Sequence, residues 1–139
     1  VCMDVESALS KLRECLSKDV VAVDLETTGL DYKKDKITTL GISVGEEDAF
    51  VIPLYHKEAP FTDSELSRIC NATQLLMASD TNKVFHNCKF DLKFLRNWGV
   101  RVFNNIDDTQ IMHSLIDENL PHGLMDLVKE YFPQELEKF

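Results

Sequence analysis

The chain has 139 residues, 44% of them hydrophobic and 28% charged, with a formal net charge of −9. That balance excludes a disordered tail, and the length makes one domain the expectation. No apolar run approaches the ~20 residues of a membrane-spanning helix, and Asp4 and Glu6 interrupt any leader-like start, so no membrane partner is expected. The acidity argues neither for nor against a nucleic-acid partner. A site for divalent ions must concentrate carboxylates, and the ions then supply positive charge of their own. The chain begins at Val1 rather than with a methionine, which suggests a fragment of a longer protein.

The elements follow in order. Val5, Ala8, Leu9, Leu12 and Leu16 recur at helical spacing, which predicts a helix over 4–18. Residues 20–26 (VVAVDLE) form a β-branched run that reads as a buried strand, closed by Thr27-Thr28-Gly29. After the polar loop 31–36, strands are predicted over 37–44 and 49–54 about the turn 45–48, giving an antiparallel meander. Thr62 or Asp63 caps a helix to about Ala78. A fourth strand is predicted at 84–86, then a helix through Trp98 that Gly99 ends. A short fifth strand is expected within 100–106, and helices over 107–116 and 123–132, the last stopped by Pro133. The fold class is therefore α/β, a mixed five-stranded sheet with helices on its faces.

Four cysteines, at 2, 15, 70 and 88, form no C-x-x-C pair. A zinc site is not expected, and scattered thiols point to a cytoplasmic or other reducing compartment that contains nucleic acid. Cys88 reads as a small apolar filler.

Asp24 and Glu26 are two residues apart in an apolar strand, so both carboxylates project from one face. Burying them unpaired would cost several kcal/mol each, as an order of magnitude. Either a cation stands nearby or they lie at an open strand end. His86-Asn87-Cys88-Lys89-Phe90-Asp91 follows a strand and opens a helix. Asn87 and Asp91 share one face of its first turn; alternatively, Asn87 caps the helix and Asp91 is a solvated acid. Two-metal phosphodiester hydrolysis needs carboxylates from separate segments, which explains why the two runs belong together. Magnesium suits oxygen ligands.

The run Asp24-Leu25-Glu26-Thr27-Thr28-Gly29-Leu30-Asp31 resembles the first motif of the DEDD (DnaQ-like) 3′→5′ exonucleases, and Asn87 to Asp91 resembles their second, N-x-x-x-D. Asp108 to Ile116 and Gly123 to Leu127 are similar to the next two helices of the proofreading domains of family A DNA polymerases. The likeness covers about residues 20–132 and implies a ribonuclease-H-like fold. It implies two divalent ions, Mg²⁺ or Mn²⁺, a single-stranded 3′ end of DNA as substrate, and a polymerase domain in the same parent chain. By the same resemblance, Asp24 bridges both ions, Glu26 ligates the ion that activates water, and Asp91 helps to hold the second. Asn87 contacts the terminal nucleotide, Thr27 offers it backbone, and Leu30 wedges against the last bases. For Thr27 and Leu30, ordinary turn and core packing are equally open readings.

The family's third motif, Y-x-x-x-D or H-x-x-x-x-D, has no good match. His122 and Asp126 are four apart where the histidine form needs five. Tyr131 and Glu135 have the tyrosine spacing, but Pro133 breaks the helix between them. The expectation is that the third motif lies beyond this fragment, and that the chain alone binds metal weakly and has little or no activity. Asp107 and Asp108 read as helix caps, Asp107 with Gln110 at capping-box spacing. His56 and His113 read as exposed or packing residues. Lys33, Lys34, Lys36, Lys89, Lys93 and Arg96 can meet phosphates or form a solvated face. Phe90, Phe94 and Trp98 read as core. The competing functions are an exoribonuclease of the ribonuclease D kind and a non-catalytic scaffold of the same fold.

Overall fold

The computed structural model describes residues 1–136, with side chains to residue 135. It contains α1 (Val5–Cys15), β1 (Val20–Thr27), β2 (Ile37–Ser43), β3 (Ala49–Pro53), α2 (Asp63–Ala78), β4 (Asn82–Phe85) and α3 (Cys88–Trp98). Then come β5 (Ile106–Asp108), α4 (Thr109–Ile116), α5 (Leu124–Tyr131) and the short α6 (Pro133–Leu136). The strands form one sheet in the order β3-β2-β1-β4-β5. The β1–β2 and β2–β3 pairs are antiparallel, and β1–β4 and β4–β5 are parallel. The expected mixed sheet with its meander is present.

Strict alternation on β1 decides the architecture. Val21, Val23 and Leu25 are buried, while Ala22, Asp24 and Glu26 face outward. Register carries the same division across the sheet: Leu25 sits opposite Leu40 and Val23 opposite Ile42, all buried. Ala8 and Leu12 of α1, Ile69 and Leu76 of α2, and Phe94 and Leu95 of α3 complete the core. Each such side chain contributes about 1.5–3 kcal/mol on burial. Asp24 lies opposite Gly41, so the carboxylate's neighbour on β2 has no side chain to crowd it.

Helix ends are set by named groups. Asp4 accepts the N–H of Ser7 and caps α1, which ends at Cys15, short of the expected Lys18. Thr62 and Glu65 form a reciprocal capping box at α2. At the other end of α2, fully buried Lys83 donates to the Ser79 carbonyl at 2.8 Å. Its ammonium therefore meets the negative end of the helix. Burial still drives the Lys83 pKa down, with Asp80 opposing.

Two sequence expectations need correction. The fifth strand runs Ile106–Asp108 rather than within 100–106. Gln74 holds the N–H groups of Arg101 and Val102 away from the sheet, and Asn105, at φ 49°, turns the chain before pairing begins. Asp107 therefore belongs to the strand, where its carboxylate accepts from Asn82, and caps nothing. Asp108 is the cap of α4. The helix before Pro133 stops as expected, α5 ending at Tyr131, and Pro133 itself opens the short α6, where its ring suits the first helical position.

All four cysteines are free thiols. Burial pushes Cys15 up to about 11 and raises Cys70 also. Among the described residues no helix is long and apolar enough to cross a membrane.

Candidate active site

β1 pairs with β4 only from Val20 to Ala22, so Asp24 and Glu26 stand beyond the parallel pairing, on the open face. Beside them β4 ends at Phe85 and the chain turns into α3. Asn87 makes that turn at φ 64°, ψ 51°, a left-handed conformation that asparagine tolerates better than most residues. Its side chain makes no capping hydrogen bond, which rules out the simple cap reading. The orphan amides are capped from outside instead. Asp108 accepts the N–H of Asn87 at 3.1 Å and of Cys88 at 2.8 Å, and also those of Gln110 and Ile111. One carboxylate thus fixes the starts of α3 and α4 together. Burial pushes the Asp108 carboxyl up, but the amides of Cys88 and Asn87 outweigh it and its pKa falls below the ordinary range. Cys88 packs against the core as expected, and burial with the adjacent Asp108 pushes its thiol up to about 11.

Asp91, one turn into α3, is 4% exposed and is not the solvated acid of the alternative reading. Burial first, and the charge of Asp24 second, raise its carboxyl to about 7. The amides of Asp91 and Leu25 oppose the shift without cancelling it. The two sequence motifs therefore meet in one electrostatic site. Neither Asp24 nor Glu26 pairs with a lysine or arginine among the described residues. The donor set is all oxygen, anionic and uncompensated, which is the chemistry a hard divalent cation satisfies. Among the described residues no three His, Cys, Asp or Glu side chains are gathered closely enough to hold an ion as they stand.

The loop after β1 is held by Asp35, which accepts from the Asp31 N–H at 2.8 Å and the Thr28 hydroxyl at 3.1 Å. A methyl group on Gly29 would stand 2.5 Å from the Asp35 carboxylate, so any side chain there has to displace that carboxylate. Thr27 spends its hydroxyl on the Gly29 carbonyl at 2.7 Å, leaving only its backbone for other work. Leu30, 86% exposed, is no core residue. It lines a hollow of about 230 Å³ with Tyr32, Asn87, Lys89 and Lys93. A second hollow of about 430 Å³ lies over the open sheet face, between Asp24, Gly41, Val51, Val84 and His86.

The sequence singles out neither His86 nor Thr109 for the site, but both line the hollow over the open sheet face with Asp24. His86 Nδ1 lies 2.9 Å from the Thr109 hydroxyl, and its buried Nε2 has no hydrogen-bond partner among the described residues. Only the position of His86 directly before Asn87 pointed to it. The apparent third motifs dissolve. His122 Nδ1 is 2.8 Å from His113 Nδ1, and the helix breaks between Tyr131 and Glu135. His113 is buried and packs α5 against α4 through His122, Glu130 and Tyr131, while His56 is exposed. Phe94 is core and Phe90 and Trp98 pack against it, as expected. Lys34 pairs with Asp31, and Lys36 lies over the Tyr55 ring.

A family model described as 3′-5′ exonuclease matches residues 2–139. DNA polymerase I of Borreliella burgdorferi is 32% identical over 124 residues, covering 88% of this chain and 13% of that polymerase. Among solved structures, Brucella melitensis NrnC bound to pGG is 28% identical with a TM-score of 0.67, covering 86% of this chain and 55% of NrnC. Escherichia coli RNase D, an exoribonuclease, superposes with a TM-score of 0.70 at 18% identity, covering 94% of this chain and 32% of that one, and shows the shared fold. The chain thus spans about half of NrnC and a small part of the polymerase. With the two carboxylate motifs meeting on a ribonuclease-H-like sheet, the chain belongs to the DEDD 3′-5′ exonucleases, in the family found in DNA polymerases of type A.

Proposed function

We propose that this domain removes 3′-terminal nucleotides from single-stranded DNA as the proofreading part of a DNA polymerase. The observation that carries the reading is the raised carboxyl of Asp91, buried beside Asp24. Such a cluster is costly unless a cation or a proton neutralises it. Asp24, Glu26 and Asp91 are the groups that would hold two divalent ions, Mg²⁺ or Mn²⁺. Bound there, the ions would supply a water of lowered pKa and neutralise charge at the scissile phosphate.

The remaining work falls to the chain's own groups. Asn87, held at the mouth of α3, presents its free amide to the terminal nucleotide. Leu30, projecting from the loop that Asp35 holds, gives the last base an apolar face. Thr27 contributes backbone. The family's chemistry also calls for a fourth carboxylate and a Tyr or His that orients the water. Among the described residues neither apparent third motif is arranged for those roles, and we place them elsewhere in the parent chain.

A second reading, an exoribonuclease, draws on the likeness to NrnC, which was captured with pGG. The test is hydrolysis of 5′-labelled single-stranded DNA and RNA with Mg²⁺ or Mn²⁺ by the parent protein and by this chain. Stepwise 3′ shortening of DNA that Asp24→Ala/Glu26→Ala abolishes supports the proposal. Preference for RNA supports the second reading, and no shortening by the parent protein sinks both.

A further inference from the structure

We propose that α3 carries an outer track for the strand upstream of the terminal nucleotides, formed by Lys93, Arg96 and Arg101 beside Tyr32. The inference rests on the exonuclease reading and adds a second, separable part to its substrate site.

Two hollows lie side by side on this face. The inner one, about 230 Å³, contains Leu30, Asn87 and Lys89. The outer one, about 300 Å³, is lined by Tyr32, Lys93, Arg96, Asn97 and Arg101. Tyr32 and Lys93 line both, so the two are continuous. Together they gather four cations and no carboxylate, in a chain with 24 acidic and 15 basic residues. An arbitrary surface of such a chain is acidic, so a stretch of one sign opposite to the net charge is a local exception. Among the described residues, none of the four cations is ion-paired.

Three of the four cations are also held in place. Arg101 donates to the Arg96 carbonyl at 2.7 Å, the Arg96 guanidinium lies 5.6 Å from the Phe103 ring centroid, and Lys93 Nζ lies 5.6 Å from that of Tyr32. From Lys89 to Arg96 the helix rises roughly 10 Å. That is the reach of a strand leading away from the 3′ end. A positive groove beside an aromatic ring is how proteins hold single strands without reading sequence. Unpaired lysine and arginine gain from phosphate through counterion release, so the outer track makes binding depend on length and on salt.

The test is fluorescence anisotropy with two 5′-labelled oligothymidylates, about 4 and about 12 nucleotides long. Ca²⁺ would be used in place of Mg²⁺, and the proteins would be wild type, Lys93→Glu/Arg96→Glu and the equally charged control Arg13→Glu/Lys57→Glu. The proposal expects tighter binding of the long probe by wild type. It expects the α3 variant to lose about tenfold on that probe with a salt slope lower by about 2, clearly more than it loses on the short probe, where only Lys93 is shared, while the control barely changes. Equal wild-type affinity for both probes would overturn the track while leaving the exonuclease reading intact. So would equal losses by the α3 variant and the control. Failure of wild type to bind either probe would overturn the substrate reading itself, and the track with it.

Discussion

The carboxylate of Asp108 accepts the backbone N–H of Cys88 at 2.8 Å, across 20 residues of chain. The same group holds Asn87, Gln110 and Ile111, so it joins the last strand to the starts of two helices. Asp108→Ala leaves four amides without their acceptor and is expected to destabilise the fold by about 3 kcal/mol. Asp107→Ala, which removes one partner of Asn82, should cost about 1 kcal/mol. Urea denaturation of the two variants measures both, and equal losses would contradict the double-cap assignment.

Asp91 gives a pH dependence of definite sign. Its folded carboxyl lies at about 7, above the ordinary 3.8, so between those values the folded state holds more protons than the unfolded state. Stability from this group therefore falls as pH rises through that window, by a few kcal/mol in order of magnitude. In EDTA, Asp91→Asn should gain in melting temperature relative to wild type from about pH 4 to about pH 8. A constant difference between the two proteins would show that Asp91 ionises normally.

The hold of His113 on α5 is measurable by amide exchange. α5 has no buried residue of its own, and His113 of α4 reaches Glu130 and Tyr131 on it. His113→Ala should cost about 2 kcal/mol and speed exchange over Leu124–Tyr131. Unchanged exchange there would mean that other contacts dock the helix.

Much of this was legible in the sequence, for identifiable reasons. The β1 alternation is written as Val-Ala-Val-Asp-Leu-Glu, so the shared face of Asp24 and Glu26 followed from period two alone. Thr62 was one of two local candidates for the cap of α2, and it is the one that caps it, in a reciprocal box with Glu65. What local pattern hides is a partner far along the chain. The cap of α3 is Asp108 rather than Asn87, and β5 is fixed by parallel pairing to Lys83–Phe85 rather than by β-branched residues. Burial of Asp91 was equally invisible, because an acid in a helix's first turn usually faces water.

Gly29→Ala tests whether the loop matters to turnover. The methyl must displace Asp35, which holds Thr28 and Asp31. Leu30 then moves, while Asp24 and Asp91 stay on their own elements. The expected outcome is a fall of about tenfold in kcat of the parent protein, with metal affinity kept. Loss of both together would mean that the loop supports the carboxylates directly.

The central claim is that Asp24 and Asp91 share a divalent ion, and Mn²⁺ binding to this chain tests it most directly. The measurement is the free Mn²⁺ signal in electron paramagnetic resonance, for wild type, Asp24→Asn and Asp91→Asn, with folding checked by circular dichroism. Weak binding by wild type that falls at least about tenfold in each folded variant is the predicted result. No binding by wild type, or equal binding by all three proteins, would contradict the account.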